Sequence, residues 1–175
     1  MPLYLIELKP AEATKESVGA LIEKVVSAVG SSDGELIETQ VTSDHRIVFV
    51  IVEADSPRFA SPVVKAVEGV AEIAGPDEVR LVGAELDDIK KLKSHADYLV
   101  EWDIPAEVTM DQYLARKKAN SPKYAEVPEV SFLRTYVRED TAKCLCFYDA
   151  PDEDAVTRAR AAVQTPIDRL FKLDV

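Results

Sequence analysis

Apolar residues recur along this chain in two rhythms. Val18, Leu21, Ile22, Val25, Val26 and Val29 fall at i, i+3, i+4, i+7, i+8 and i+11, one stripe at the helical period that stops at Gly30. Glu16, Glu23 and Lys24 lie off it. Before this stripe stands the strand-like YLIEL at 4–8, and after it ELIETQVTSD and RIVFVIVEAD, joined by a short polar turn. A second helix-like stretch and the strand-like PDEVRLVGAEL follow.

The order then recurs. YLVEW at 98–102 sets Tyr98 beside Tyr4 and Glu101 beside Glu7 at an offset of 94, while Val137 matches Val41 and Ala150 matches Ala54 at 96. Thr109 followed by Gln112 predicts a capping box that opens a helix through Tyr113 and Leu114. Arg116, Lys117 and Lys118 on that helix read as a solvated face. VSFLRTYVRED and AKCLCFYDAP predict a hairpin, an Ala-rich stretch near 152–164 predicts a helix, and PIDRLFKLDV closes the unit.

Each unit therefore reads β-α-β-β-α-β, the ferredoxin-like order, and the fold class is α+β. The units are residues 1–86 and 97–175, with a linker at 87–96 that has room for a short helical turn. Two helices on one face of a four-stranded sheet leave the other face bare, and strands this apolar do not face water. The bare faces are expected to pack together as a pseudo-dimeric α/β barrel with a polar cavity between the units. The expected state is a monomer with this internal pseudo-dimer, or a weak homodimer.

Composition and charge narrow the function. The 175 residues are 47% hydrophobic and 30% charged, which is the balance of a folded domain. No apolar run approaches the roughly 20 residues that span a bilayer, and the start, MPLYLIELKP, is not a basic region followed by a long apolar one. A cytoplasmic protein is expected. The net charge of −11 argues against nucleic acid or an anionic membrane as partner and leaves a small molecule. The charge is uneven, with 17 acidic and 8 basic residues in 1–90 against 15 and 13 in 91–175.

Strand alternation selects the candidate site. It puts Phe132, Arg134 and Tyr136 on one face of their strand, Cys144, Cys146 and Tyr148 on one face of the next, and Glu101 on the polar face of 98–104. If these faces coincide, Glu101, Arg134, Tyr136, Cys146 and Tyr148 share a pocket. The corresponding face of the first unit carries Glu7, Glu38, Gln40, Val50 and Val52. Such a set binds an anionic or polar ligand, with Arg134 giving bidentate recognition and the tyrosines stacking. It also permits cofactor-independent catalysis by an isomerase, cyclase or oxygenase, with Glu101 as general base and Tyr136 or Arg134 stabilising developing charge.

Cys144 and Cys146, at i and i+2, read as free thiols and small core residues, since C-x-C without a partner pair is a weak metal signal. His45 reads as exposed in the TSDHR turn, and His95 falls in the linker. No Gly-rich phosphate loop, G-x-S-x-G elbow or H-E-x-x-H occurs, so no particular cofactor or metal is indicated.

The opening YLVEWDIP with FLRTYVRED and KCLCFYDAPDEDAV resembles a family of small bacterial ferredoxin-like domains of unknown function that includes a nickel-binding protein. The family pattern is an opening strand ending in Glu-Arg and a Pro, a strand with Trp-x-His-Ser-Tyr-Val, and a strand with Cys-x-Tyr-x-Ala-Pro. The match runs over 98–156 and is weaker over 4–85. It implies a tandem fusion of two such domains, with Glu101, Tyr136, Cys146 and Tyr148 at the motif positions and Glu7 at that of the first unit. Arg134 stands where the family has His before Ser-Tyr-Val, and Glu38 stands at the equivalent place in the first unit. Because arginine is not a normal metal ligand, the resemblance implies nickel or another transition metal only as an alternative to a small molecule.

Overall fold

The computed structural model describes residues 1–91 and 96–174. Its strands are β1 (Leu3–Pro10), β2 (Glu35–Val41), β3 (Val48–Glu53), β4 (Ala71–Val82), β5 (Tyr98–Asp103), β6 (Ser131–Arg138), β7 (Lys143–Asp149) and β8 (Arg169–Lys172). Its α-helices are α1 (Lys15–Gly30), α2 (Ala60–Val67), α3 (Leu86–Lys91), α4 (Met110–Asn120) and α5 (Glu153–Ala162). The chain forms two units. One holds residues 1–79, α3 and Asp174; the other holds 80–85 and 96–173.

In the first unit the strands lie in the order β2-β3-β1-β4, with antiparallel neighbours. Alternation along β1 and β3 turns Tyr4, Ile6, Leu8, Val48, Val50 and Val52 toward the helices, where they pack with Val18, Leu21, Val25 and Val29 of α1 and Val63 and Val67 of α2. Each such side chain contributes about 1.5–3 kcal/mol when fully buried. The α1 stripe is narrower than the sequence suggests. Val26 is 45% exposed because, at 100° per residue, it falls on the flank of the line through Val18, Val25 and Val29. Thr14 caps this helix by accepting from the Ser17 backbone N–H at 3.1 Å.

α3 belongs to the same unit. Ile89 is buried, and the Lys90 ammonium lies 3.2 Å from Glu35 and 3.0 Å from Glu53. His45, expected to be exposed, is half-buried, with its Nε2 at 3.3 Å from the Asp174 carboxylate. His95 lies outside the described residues.

In the second unit the order is β6-β7-β5-β8, again with antiparallel neighbours. The capping box of α4 is formed: Gln112 N–H donates to Thr109 Oγ1 at 3.2 Å, and Thr109 N–H donates to Gln112 Oε1 at 2.9 Å. Asp152 caps α5 through the Ala155 N–H at 2.8 Å. The small side chains Ala155 and Ala159, with Val156, pack α5 against Val100, Val137, Cys144 and Cys146. Both cysteines are free and buried. No described helix is long and apolar enough to cross a membrane.

Candidate functional site

The pairing of β6 with β7 decides where the expected site residues go. Phe132 lies opposite Tyr148, but Arg134 lies opposite Phe147, so Leu133 is an extra residue in a β-bulge. The bulge reverses alternation at this point. Phe132 turns to the helix side, while Arg134 and Tyr136 turn to the other face with Phe147 and Leu145. Thr135 faces Cys146 on the helix side, and Cys146 also lies opposite Val100 of β5. The expected set of five is therefore divided. Glu101, Arg134 and Tyr136 share the helix-free face, whereas Cys146 and Tyr148 belong to the helix-packed core.

The first unit repeats this geometry. Leu36 lies opposite Val52 and Glu38 opposite Ile51, a bulge at the positions equivalent to Phe132 and Arg134. Glu7, opposite Phe49, shares the helix-free face with Glu38 and Gln40, and Gln40 Nε2 donates to Glu38 Oε1 at 3.0 Å. Val50 and Val52, expected beside these residues, instead join the helix-packed core.

On the helix-free face of the second unit, ion pairs dominate. Glu101 is only 3% exposed and accepts from Lys143 Nζ at 3.2 Å and from Arg169 Nε. Arg169 Nη1 also donates to Asp103 at 3.0 Å, and this bond with the nearby Arg169 charge holds the Asp103 carboxyl below its ordinary value. Arg134 places its guanidinium 4.8 Å from the Phe147 ring centre, and Tyr136 meets the same ring edge-on at 5.9 Å. On this face Glu101, Arg134 and Tyr136 are buried, while Arg169 and Asp103 reach solvent.

The helix side contains a pocket of about 30 Å³, bounded by β5, β7, α4, α5 and the segment that follows α5. That volume holds about two waters, or a ligand of a few heavy atoms. Trp102, Tyr113, Cys144 and Cys146 form its inner wall, with Arg160 buried beside them. Arg116 is exposed and Lys117 half-buried, which places them at the rim. Three cations thus line the pocket, and none of its described lining residues is a carboxylate. Arg160 Nη1 donates to Tyr148 Oη at 3.1 Å and Nη2 to the Pro166 carbonyl at 2.6 Å, while its Nε has no hydrogen-bond partner among the described residues.

The thiols and phenols here are strongly shifted. Cys146 is held well below its ordinary pKa, first by a hydrogen bond from Cys144, then against desolvation by the charges of Lys117 and Arg160 and the Thr135 hydroxyl. Cys144 is pushed up by the same bond and by burial. Burial pushes Tyr124 up to about 12, the nearby Cys146 charge adding to it, and also raises Tyr113 and Tyr148. The Tyr124 and Tyr148 hydroxyls are 2.6 Å apart.

Comparison with known proteins bears on the second unit first. Residues 98–173 match the family model described as nickel responsive protein SCO4226-like. The crystal structure of SCO4226 from Streptomyces coelicolor A3(2) is 16% identical, covers 46% of this chain and 98% of its own, and has a TM-score of 0.40. Other structures match over nearly the whole chain. The provisionally named chlorite dismutase TA0507 has a TM-score of 0.59 at 13% identity, covering 100% of this chain and 96% of its own. The chlorite dismutase from Candidatus Nitrospira defluvii, in complex with imidazole, has 0.52 at 10%, covering 98% and 89%. These likenesses show the fold alone, that of dimeric α/β-barrel proteins, as the element order predicts. A comparison with curated proteins gave no match.

Within the SCO4226-like segment, the pocket uses residues that alternation alone did not select. Arg160 lies in the run Val156, Ala159, Arg160, Val163, at i, i+3, i+4 and i+7, so a charge on the buried stripe of α5 was the available signal. Arg116 and Lys118 are exposed, as a solvated face is, but Arg116 and the half-buried Lys117 also lie over aromatic rings: Arg116 at 5.6 Å from Trp102 and Lys117 at 4.3 Å from Phe132. Basic residues one turn after Tyr113 carried no comparable signal.

Proposed function

We propose that this protein binds a small molecule, an anion of a few heavy atoms, in the pocket beneath α4. The observation that carries this reading is the buried Arg160, whose Nε lacks a partner among the described residues, in a pocket lined by two further cations and no carboxylate among its described residues. A buried donor left unsatisfied costs about 1–3 kcal/mol, and an anion supplies the missing acceptor. The chain as a whole carries −11, so three cations on one pocket run against its overall sign and select for negative charge locally. Trp102, Tyr113 and Tyr124 supply flat apolar surface and hydroxyls to orient the ligand.

Melting temperature measured with formate, bicarbonate, nitrite and phosphate tests this. A ligand at 100 times its Kd stabilises by about 2.7 kcal/mol, so at least one anion is expected to raise the melting temperature by several degrees. Lys117→Met and Arg160→Met are expected to remove that rise. No shift with any of the four anions sinks the proposal.

A second reading is metal binding, supported by the description of the matched family and by the two adjacent thiols. Among the described residues, however, no three His, Cys, Asp or Glu side chains are grouped to hold a metal ion, so the site does not fit nickel. Metal analysis of the natively purified chain decides between the two. The enzymatic alternative, with Glu101 as base and Tyr136 beside it, has less support because Lys143 and Arg169 already occupy both Glu101 oxygens.

A further inference from the structure

Anion binding accounts for the cations of the pocket but not for the two thiols on its wall. Cys144 and Cys146 are successive helix-side residues of β7, and each is 1% exposed. Thr135 Oγ1 donates to Cys146 Sγ at 3.1 Å, and Cys144 and Tyr113 line the same pocket beside it. Arg160 and Lys117 add positive charge. Cys146 is packed by apolar residues toward the core, but on its pocket side it has a hydroxyl donor and the cations Lys117 and Arg160, which are the surroundings of a thiolate. The space in front of it, about 30 Å³, admits a molecule little larger than water.

We propose that Cys146 is a modification site whose thiolate reduces hydrogen peroxide and becomes a sulfenic acid. The Cys146 sulfur attacks one peroxide oxygen, so an S–O bond forms as the O–O bond breaks. The sulfur loses two electrons and the peroxide gains them. The departing hydroxide takes the proton of the Cys144 thiol and leaves as water, so Cys144 ends as the thiolate and the net charge of the pair is unchanged. Thr135 and the two cations hold the attacking sulfur ionised. The inference rests on the pocket reading only for access of the peroxide to the sulfur.

The native full chain is treated with hydrogen peroxide for a set time, the peroxide is removed with catalase, and the chain is then unfolded in urea containing dimedone so that the probe reaches the buried sulfur. The adduct is located by peptide mass spectrometry and compared with a chain oxidised while unfolded. The adduct is expected on Cys146 and not on Cys144, forming at least about tenfold faster than in the urea-unfolded chain. Thr135→Val, which removes the hydroxyl donor at nearly constant volume, is expected to slow it about tenfold, since a hydrogen bond to a charged group is worth about that factor. Lys117→Met, on a separate element, is expected to slow it as well. Native labelling no faster than unfolded labelling, or an adduct on Cys144 instead, overturns the proposal. Anion-induced melting shifts report on the ligand reading separately: a shift without an adduct defeats only the thiol chemistry, and an adduct without a shift defeats only the anion site.

Discussion

His45 and Thr141 occupy equivalent positions in two hairpin turns, 96 residues apart, and both have a φ of 61°. The same local device supports each: Asp44 Oδ1 accepts from the Arg46 N–H at 3.1 Å, and Asp140 Oδ1 from the Ala142 N–H at 3.0 Å. A left-handed backbone is tolerated by histidine better than by β-branched threonine. Thr141→Gly is therefore expected to stabilise the chain by about 1 kcal/mol in urea unfolding. His45→Gly is expected to gain less, because it also gives up the contact with Asp174.

Glu101 is a buried carboxylate between two cations, of which Lys143 is 17% and Arg169 40% exposed. Removing its charge takes away the nearest carboxylate of half-buried Lys143 and one of the two carboxylates that Arg169 holds. Glu101→Gln is expected to lower unfolding free energy by about 2 kcal/mol, below the full cost of breaking a buried pair because Arg169 is partly solvated. Lys143→Met together with Glu101→Gln is expected to recover part of the loss. Urea midpoints of the three variants check both statements.

The order of elements was legible because two periods suffice for it: the Val18 to Val29 stripe fixes a helix, and alternating strands flank it. The division of the site was not. Nothing in SFLRTYV marks Leu133 as the extra residue, and the bulge depends on tertiary packing, with Phe132 stacking on Tyr124 at 5.4 Å and meeting Tyr148 at 5.8 Å. A one-residue change of register there moves Arg134 and Tyr136 to the opposite face. The charge of Arg160 on an otherwise apolar helix stripe was visible in the sequence, but what it faces depends on β7.

Acid is expected to weaken the fold through carboxylates whose pKa values are depressed in the folded state, three of them aspartates. The Thr42 hydroxyl lowers Asp44, Arg169 lowers Asp103 and Arg138 lowers Asp140. A depressed folded value means that the unfolded chain binds protons first. The stabilisation is complete above the unfolded value of about 4 and is lost as pH falls through each folded value. Comparison of the parent with Asp103→Asn from pH 6 down to pH 2 checks the sign. The parent is expected to be the more stable at pH 6, and the difference is expected to close at the acid end.

Two glycines separate backbone strain from steric conflict. Gly69, with φ at 80°, has open space where a Cβ would stand; Gly83, with φ at 87°, would set a Cβ 2.7 Å from Cε1 of Phe132. Alanine at Gly69 pays only for the left-handed backbone, about 1 kcal/mol. Alanine at Gly83 meets that cost and must also move a ring that packs against Tyr124 and Tyr148, adding about 1–3 kcal/mol as overpacking does. Because Phe132 holds the bulge side of β6 against the core, the Gly83→Ala strain falls on the strand that positions Thr135 opposite Cys146. Gly83→Ala is therefore expected to lower both stability and peroxide labelling of Cys146, while Gly69→Ala lowers stability alone. Equal labelling in the two variants would show that the Phe132 packing does not position the thiol.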